Sequence, residues 1–373
     1  MKSLVPRSCW RIRACFAFIL IFMVVLFPSQ SKPASGQLSI DNILIPESVP
    51  MAEWDTYRIQ TAIDIAHAAT YTSGLSSRVI IPAGLIENGQ YKTRSYRLTK
   101  TINVKGGVVL ATDSGGRRGV RLRWVNVKDD QPLLRFHNCH GGGLEDIALA
   151  IHSLADGQKG DRVTGILLES QSSMVLKDFT VDLSGAGEDS IGLLLTNDRQ
   201  VTRHTESVTV RDFNIHAPKP VVIECGDNLT FSTFDLTLLD RHSPGSISAI
   251  FQNRNGYVPA NLVVGPGTGQ KGDHAICFTG QRERLRGTGD CFTIQNFRWE
   301  QGTDKGPAWK IDINRFDPEK PETRLHAIES VVFINCRSGG RPSNPDYIGR
   351  YIPAAGVLST TFVGGYYGGK LKQ

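Results

Sequence analysis

Apolar residues in this chain come in short runs of four to six that end on a polar or Asn/Asp-rich corner and then start again. One series reads Gly165-Ile-Leu-Leu-Glu-Ser170, Gly192-Leu-Leu-Leu-Thr-Asn197, Pro220-Val-Val-Ile-Glu-Cys225 and Ala249-Ile-Phe-Gln-Asn-Arg254, with starts 27, 28 and 29 residues apart. A second reads Leu144-Glu-Asp-Ile-Ala-Leu149, Leu176-Lys-Asp-Phe-Thr-Val181 and Val210-Arg-Asp-Phe-Asn-Ile215. Short strands recurring at such a period predict a solenoid, in which each repeat buries its apolar face against its neighbours. An active site then belongs on the outer surface of a stack of coils, not in the crevice of an open sheet or the mouth of a barrel.

A different period appears once. Ile59, Ala62, Ile63, Ala66 and Ala69 recur at three- and four-residue steps, which predicts a helix over 56–69 with Asp55 or Thr56 as N-cap. Short strands follow at 78–81, 96–98, 101–104 and 107–110, and further ones at 292–299, 308–313, 330–336 and 356–363. Between 253 and 292 the rhythm loosens and Gly, Pro, Asn, Arg and Asp accumulate, as where a solenoid extends loops over its face. Gly364 to Gly369 reads as an aromatic tail that either stacks on the last coil or lies free. The scarcity of helices disfavours a βαβ sheet. A β-sandwich would need tight hairpin signals, and the two Asn-Gly pairs, Asn88-Gly89 and Asn255-Gly256, read as loops.

Composition narrows the class. The 373 residues carry 38 glycines, which fall between strand phrases where corners need φ > 0. The net charge of +6 is concentrated at the N-terminus and around Arg117 to Arg123 and Arg282 to Arg286. No lysine-rich helix or zinc-finger spacing accompanies it, so nucleic acid is not an expected partner, whereas an acidic polysaccharide is compatible. Lys2, Arg7, Arg11 and Arg13 precede fourteen unbroken apolar residues, Ala14 to Phe27, and then Pro28-Ser-Gln-Ser31. This is the pattern of a secretory signal over 1–31, with retention as a membrane anchor the alternative. Residues 32–52 form a lead-in. An exported protein, periplasmic or extracellular, is expected. Five cysteines remain (Cys139, Cys225, Cys277, Cys291, Cys336), an odd number in strand-like settings. They read as buried small side chains, with a Cys277–Cys291 bridge as the alternative.

Residues 53 to 115 resemble a known module. The phrases Ile59-Gln-Thr-Ala-Ile-Asp64, Val79-Ile-Ile-Pro-Ala-Gly84, Tyr96-Arg-Leu98, Thr101-Ile102 and Val108-Val-Leu110 are similar to the N-terminal module of the pectate-lyase superfamily, whose members include phage tailspikes, glucanases and polygalacturonases. The resemblance implies an all-β fold, a right-handed single-stranded parallel β-helix with an N-terminal capping helix, over 53–363, followed by a tail at 364–373. It implies action on a polysaccharide outside the cytoplasm, and a homotrimer if the chain assembles as tailspikes do.

The expected chemistry is glycan cleavage or modification, by a glycoside hydrolase or polysaccharide lyase on a uronate-containing polymer. The alternative is a non-catalytic glycan-binding or assembly protein. Hydrolysis needs two carboxyl groups, and a lyase or epimerase needs a base near an acidic proton plus a cation to hold the carboxylate. The stretch where the repeats break offers Asp273 and Asp290 as carboxylates, with His274, Glu283 and Arg286 beside them as further catalytic candidates. Gly272-Asp-His-Ala-Ile-Cys277 is faintly similar to a polygalacturonase phrase, but the other phrases of that family are missing. Trp299, Trp309, Tyr257 and Lys271 are the candidate substrate-binding residues. Asp146, Asp178 and Asp212 recur at one place in the repeat and read as corner residues. The acidic run Asp178, Asp182, Glu188, Asp189, Asp198 and Asp212 raises Ca²⁺ as an alternative, without any calcium-loop spacing. His137 and His140 beside Cys139 have no third ligand at a metal spacing and read as turn residues.

Overall fold

The computed structural model describes residues 36–73, 77–84, 86–87, 90–113, 119–125, 127, 129–151, 162–198, 205–239, 245–251, 260–271, 274–280, 291–300, 309–313, 328–339, 357–364 and 366–367. They form a right-handed, all-β parallel solenoid with an N-terminal capping helix. Strands gather into an eighteen-stranded and an eight-stranded sheet, and every pairing recorded within them is parallel, which excludes the sandwich.

One coil shows the path. Thr164–Glu169 lies on the eight-stranded face, and the chain turns at Ser170 into Ser172–Asp182. That strand bends at Asp178, so its two halves lie on different faces, and residues 183–190 return it to Ile191–Thr196 on the eight-stranded face. The larger sheet therefore wraps around a corner. Strands were expected to be short, yet Ser172–Asp182, Glu206–Ala217 and Leu229–Leu238 run on because the corner residue bends the ladder without ending it.

The corner explains the second repeat series. Register aligns Leu144 with Leu176 and Leu176 with Val210, so Asp146, Asp178 and Asp212 stack. Their φ values are 60, 52 and 55°, in the left-handed region that Asp and Asn tolerate better than other side-chain-bearing residues. Thr233, Asn296 and Asn335 extend the column at φ 51, 49 and 49°. Asn296 thus splits the expected 292–299 strand into Cys291–Gln295 and Phe297–Glu300. The first series holds in register through Gly165, Gly192 and Pro220, but Val221 pairs with Ile247. The fourth member therefore starts at Ser246, three residues before the expected Ala249.

Inside, alternate strand residues meet at the axis. Ring contacts link Phe179, Phe213, Phe234, Phe297, Trp309, Phe333 and Phe362 in sequence, at centroid separations of 5.0 to 5.6 Å. Each such pair adds about 0.5–1.5 kcal/mol beyond area burial. Phe234 reaches Phe297 across an intervening coil because Gly267 sits between them, where a Cβ would come within 2.3 Å of the Phe234 ring.

Helix α1 spans Trp54–Ser73 and packs Ile59, Ala62, Ile63 and Ala66 on the first strands, closing the end of the stack. Asp55 and Thr56 are not its N-caps. A short 3₁₀ turn at Met51–Glu53 leads straight into the helix, and the two side chains instead accept from the backbone N–H groups of Arg97 (2.7 Å) and Thr99 (3.0 Å). They pin the strand Arg94–Leu98 to the cap. The lead-in contributes a strand, Gln37–Ser39, paired with Arg78–Ile80. Ile86–Glu87 and Gln90–Tyr91 form an antiparallel pair; Asn88-Gly89 lies outside the described residues. Tyr366–Tyr367 adds to the third face beside Arg337–Ser338. The five described cysteines form no disulfide, so there is no Cys277–Cys291 bridge: four are buried and Cys291 is exposed.

Candidate functional site

The expected site residues scatter. Asp273, Asp290, Glu283, Arg286 and Tyr257 lie outside the described residues. The strands that follow the two aspartates, Ile276–Gly280 and Cys291–Gln295, lie on different faces. His274 is buried, and its carbonyl accepts from Ser246 N–H at 3.2 Å. Lys271 is exposed in a left-handed conformation, and its N–H donates to the Glu300 carbonyl. Trp299 and Trp309, each 3% exposed, belong to the core, where Trp309 packs on Phe297 and Phe333. Neither indole has a face free for a sugar ring, which corrects their expected place in a groove.

The first repeat series builds a different constellation. Its strands Pro132–His137, Thr164–Glu169, Ile191–Thr196 and Lys219–Ile223 lie side by side on the eight-stranded face. Leu168 and Leu195 point into the core, so their neighbours Glu169 and Thr196 point out. Register lines up His137, Glu169 and Thr196, and Glu224 follows Ile223 at the same level. Arg135, two residues before His137, lies on the same side.

These side chains are joined. Arg135 places Nη2 at 2.6 Å and Nε at 3.1 Å from Glu169 Oε2, and His137 Nδ1 lies 3.0 Å from the same oxygen. On its other side, His137 Nε2 is 3.6 Å from Asp198 Oδ2. The Asp198 backbone is fixed by its N–H donating to Ser170 Oγ at 2.9 Å. Thr196 Oγ1 donates to Glu224 Oε2 at 2.7 Å. The result is an imidazole between two carboxylates, one clamped by a guanidinium, with a third carboxyl two coils along. The glutamate and aspartate side chains are largely covered and the imidazole is partly open. Such a group can hold and pass protons at a surface open to an extended polymer.

A concave feature elsewhere, a cleft of about 580 Å³, follows the corner between the other two faces. Asp178, Asp212 and Asp235 line it with Asn296, Thr268 and Arg298. Asp178 and Asp212 are corner residues, Asp235 accepts from Thr268 Oγ1 at 3.1 Å, and Arg298 pairs with Glu300 at 2.6 Å. No imidazole joins these carboxylates, so the eight-stranded face carries the better chemistry. Near its edge, Lys219 donates to Asp189 at 2.7 Å and holds that exposed carboxyl below its usual range. His140 bonds Ser172 Oγ at 2.8 Å, away from the His137 cluster. Among the described residues no group of three or more His, Cys, Asp or Glu is arranged to hold a metal ion.

Glu169, Thr196 and Glu224 were visible as the polar residue that closes each phrase of the first series. What sequence cannot show is that this shared place faces outward beside His137.

No family model matches the chain, and no curated protein matches it in sequence. Solved structures do match in shape. A 1,3-α-1,4-β-D-galactose-4-sulfate-3,6-anhydro-D-galactose-2-sulfate 4 galactohydrolase superposes with a TM-score of 0.56 at 11% identity, covering 90% of this chain and 87% of that one. A ι-carrageenase complexed to ι-carrageenan fragments gives 0.55 at 11% identity, covering 90% and 88%. The tailspike protein of Escherichia coli bacteriophage HK620 in complex with pentasaccharide gives 0.53 at 11% identity, covering 87% of this chain and 52% of that one. At such identities the likeness is one of fold. The shared fold is a right-handed parallel β-helix.

Proposed function

We propose that the chain is an exported enzyme that cleaves or modifies a polysaccharide, with its working surface on the eight-stranded face. The observation that carries this reading is the placement of His137 between Glu169 and Asp198, with Glu224 two coils further along. Arg135 and His137 both meet one oxygen of Glu169, and we assign that carboxyl the role of base. Glu224, which accepts from Thr196 Oγ1 at 2.7 Å, is assigned the role of acid. Their backbones stand two strand spacings apart, roughly 10 Å, nearer the carboxyl separation of an inverting hydrolase (about 6.5–9.5 Å) than that of a retaining one (about 5–5.5 Å). The N-terminal pattern over 1–31 supports export.

The test is a panel of uronate, sulfated and neutral polymers incubated with the full chain and with Glu169→Gln and Glu224→Gln. A hydrolase releases saturated oligosaccharides, a lyase releases products absorbing near 235 nm, and an epimerase leaves chain length unchanged. Absence of any product, with binding retained, would overturn the enzymatic reading. A glycan-binding role without turnover is the second reading. It is favoured by Arg135 and His137 sharing one oxygen of Glu169, an arrangement that also serves as a surface brace. N-terminal sequencing of the secreted protein tests export.

A further inference from the structure

Three arginines on the third face form a patch that the chemistry above does not use. Arg97 lies in the strand Arg94–Leu98, and Arg121 and Arg123 lie in Val120–Trp124. The two strands pair so that Arg97 stands beside Arg123 and Ser95 beside Arg121. Tyr96, Leu98, Leu122 and Trp124 are buried, so the arginines project outward. Arg97 and Arg121 are exposed and Arg123 is half-buried.

Their neighbours do not neutralise them. None of the three makes an ion pair among the described residues, and Arg123 Nε is covered without a hydrogen-bond partner. Asp55 accepts from the Arg97 backbone N–H at 2.7 Å and makes no ion pair with the Arg97 guanidinium among the described residues. Other arginines differ: Arg78 pairs with Glu145, Arg94 with Asp41 and Arg135 with Glu169. Like charges side by side across strands about 4.8 Å apart disfavour the fold. On the next strand the equivalent positions are Ala148 and Ala150, which leave a low shelf beside the guanidinium groups. The patch is thus a grid of fixed cations, spaced about 4.8 Å across strands and about 6.7 Å along one, open on the side of the shelf.

We infer that this patch binds an anionic polysaccharide, through carboxylate or sulfate groups received by Arg97, Arg121 and Arg123. The planar forks of arginine match both anions. The patch lies on a different face from Glu169, so it would hold the polymer without taking part in bond cleavage. It stands whether or not the chain turns its ligand over.

Binding of the full chain to polygalacturonate, a sulfated galactan, dextran and oligodeoxythymidine, measured across a salt series, tests it. The two anionic polysaccharides separate a carboxylate from a sulfate ligand. The expected result is binding to at least one of them that weakens steadily with salt, and no binding to dextran. R97Q/R121Q/R123Q should bind roughly tenfold more weakly, since each exposed charge contributes up to about 1 kcal/mol. R78Q, whose arginine pairs with Glu145, should bind as the natural chain does. If thermal melting shows that the triple variant is unfolded, R121Q decides, with roughly threefold loss expected. Unchanged binding by the folded variants overturns the inference. So does equal binding of dextran, or tighter binding of the oligonucleotide.

Discussion

Glu169 gathers two contacts on one oxygen: it accepts from Arg135 and meets His137. Glu169→Gln should keep the shape and remove the charge. If the proposed chemistry is right, turnover falls by about 10²- to 10⁴-fold, the range for losing an acid–base group, in initial-rate assays. Stability should change little, because Arg135 is partly solvated and can rehydrate. Tyr96 offers a residue-scale test independent of function. Its hydroxyl donates to the Pro82 carbonyl at 2.7 Å and its ring is 2% exposed. Burial pushes its phenol well above the ordinary value, with Arg94 pulling the other way. The folded state therefore keeps a proton that the unfolded chain loses. That stability is fully present below about pH 10 and disappears as pH rises towards the folded value. Tyr96→Phe should cost about 1 kcal/mol at neutral pH and flatten the alkaline fall in melting temperature. The resemblance had singled out Tyr96, but its pairing with the Pro82-Ala-Gly84 turn needed coordinates.

At the scale of elements, the bent strand is the unit that repeats. Its corner column runs Asp146, Asp178, Asp212, Thr233, Asn296 and Asn335, all with positive φ. Asp212→Ala should destabilise by about 1 kcal/mol relative to Asp212→Gly, since only glycine escapes the Cβ cost, and urea titration of the two variants measures the difference. The column was legible only where its residue stayed Asp. Val210-Arg-Asp-Phe213 was recognised, whereas Phe231-Ser-Thr-Phe234 and Ile294-Gln-Asn-Phe297 were not, because the backbone requirement is shared but the side chain is not. The slip at Ala249 has a related cause. Ser246-Ile-Ser-Ala249 lacks the run of large apolar residues that marks the other phrases, so the eye settles on the apolar pair that follows. For the helix, periodicity alone gave its existence and buried face. Its N-terminus went astray because Asp55 and Thr56 serve the neighbouring strand, a tertiary use that local capping rules do not see.

For the whole molecule, neighbour-to-neighbour stacking makes stability local along the axis. Architecture was readable because parallel stacking repeats one pattern many times. The candidate site was not, because its members sit one to a coil and meet only through register. Ile63→Asp, under the cap, should open the first coils by placing an unpaired carboxylate where exposure is 0%, and hydrogen exchange should show that loss fading towards the later coils. The line of core rings has a separate optical consequence. Of the five tryptophans, Trp299 and Trp309 are buried near the far end of the stack, Trp124 is buried near its beginning, and Trp54 is at the cap with 40% exposure. Emission from Trp299 and Trp309 should be blue-shifted and should red-shift when the later coils open. With Trp124→Phe and Trp54→Phe in the background, the chain's own fluorescence becomes a position-selective gauge of which end of the solenoid melts first.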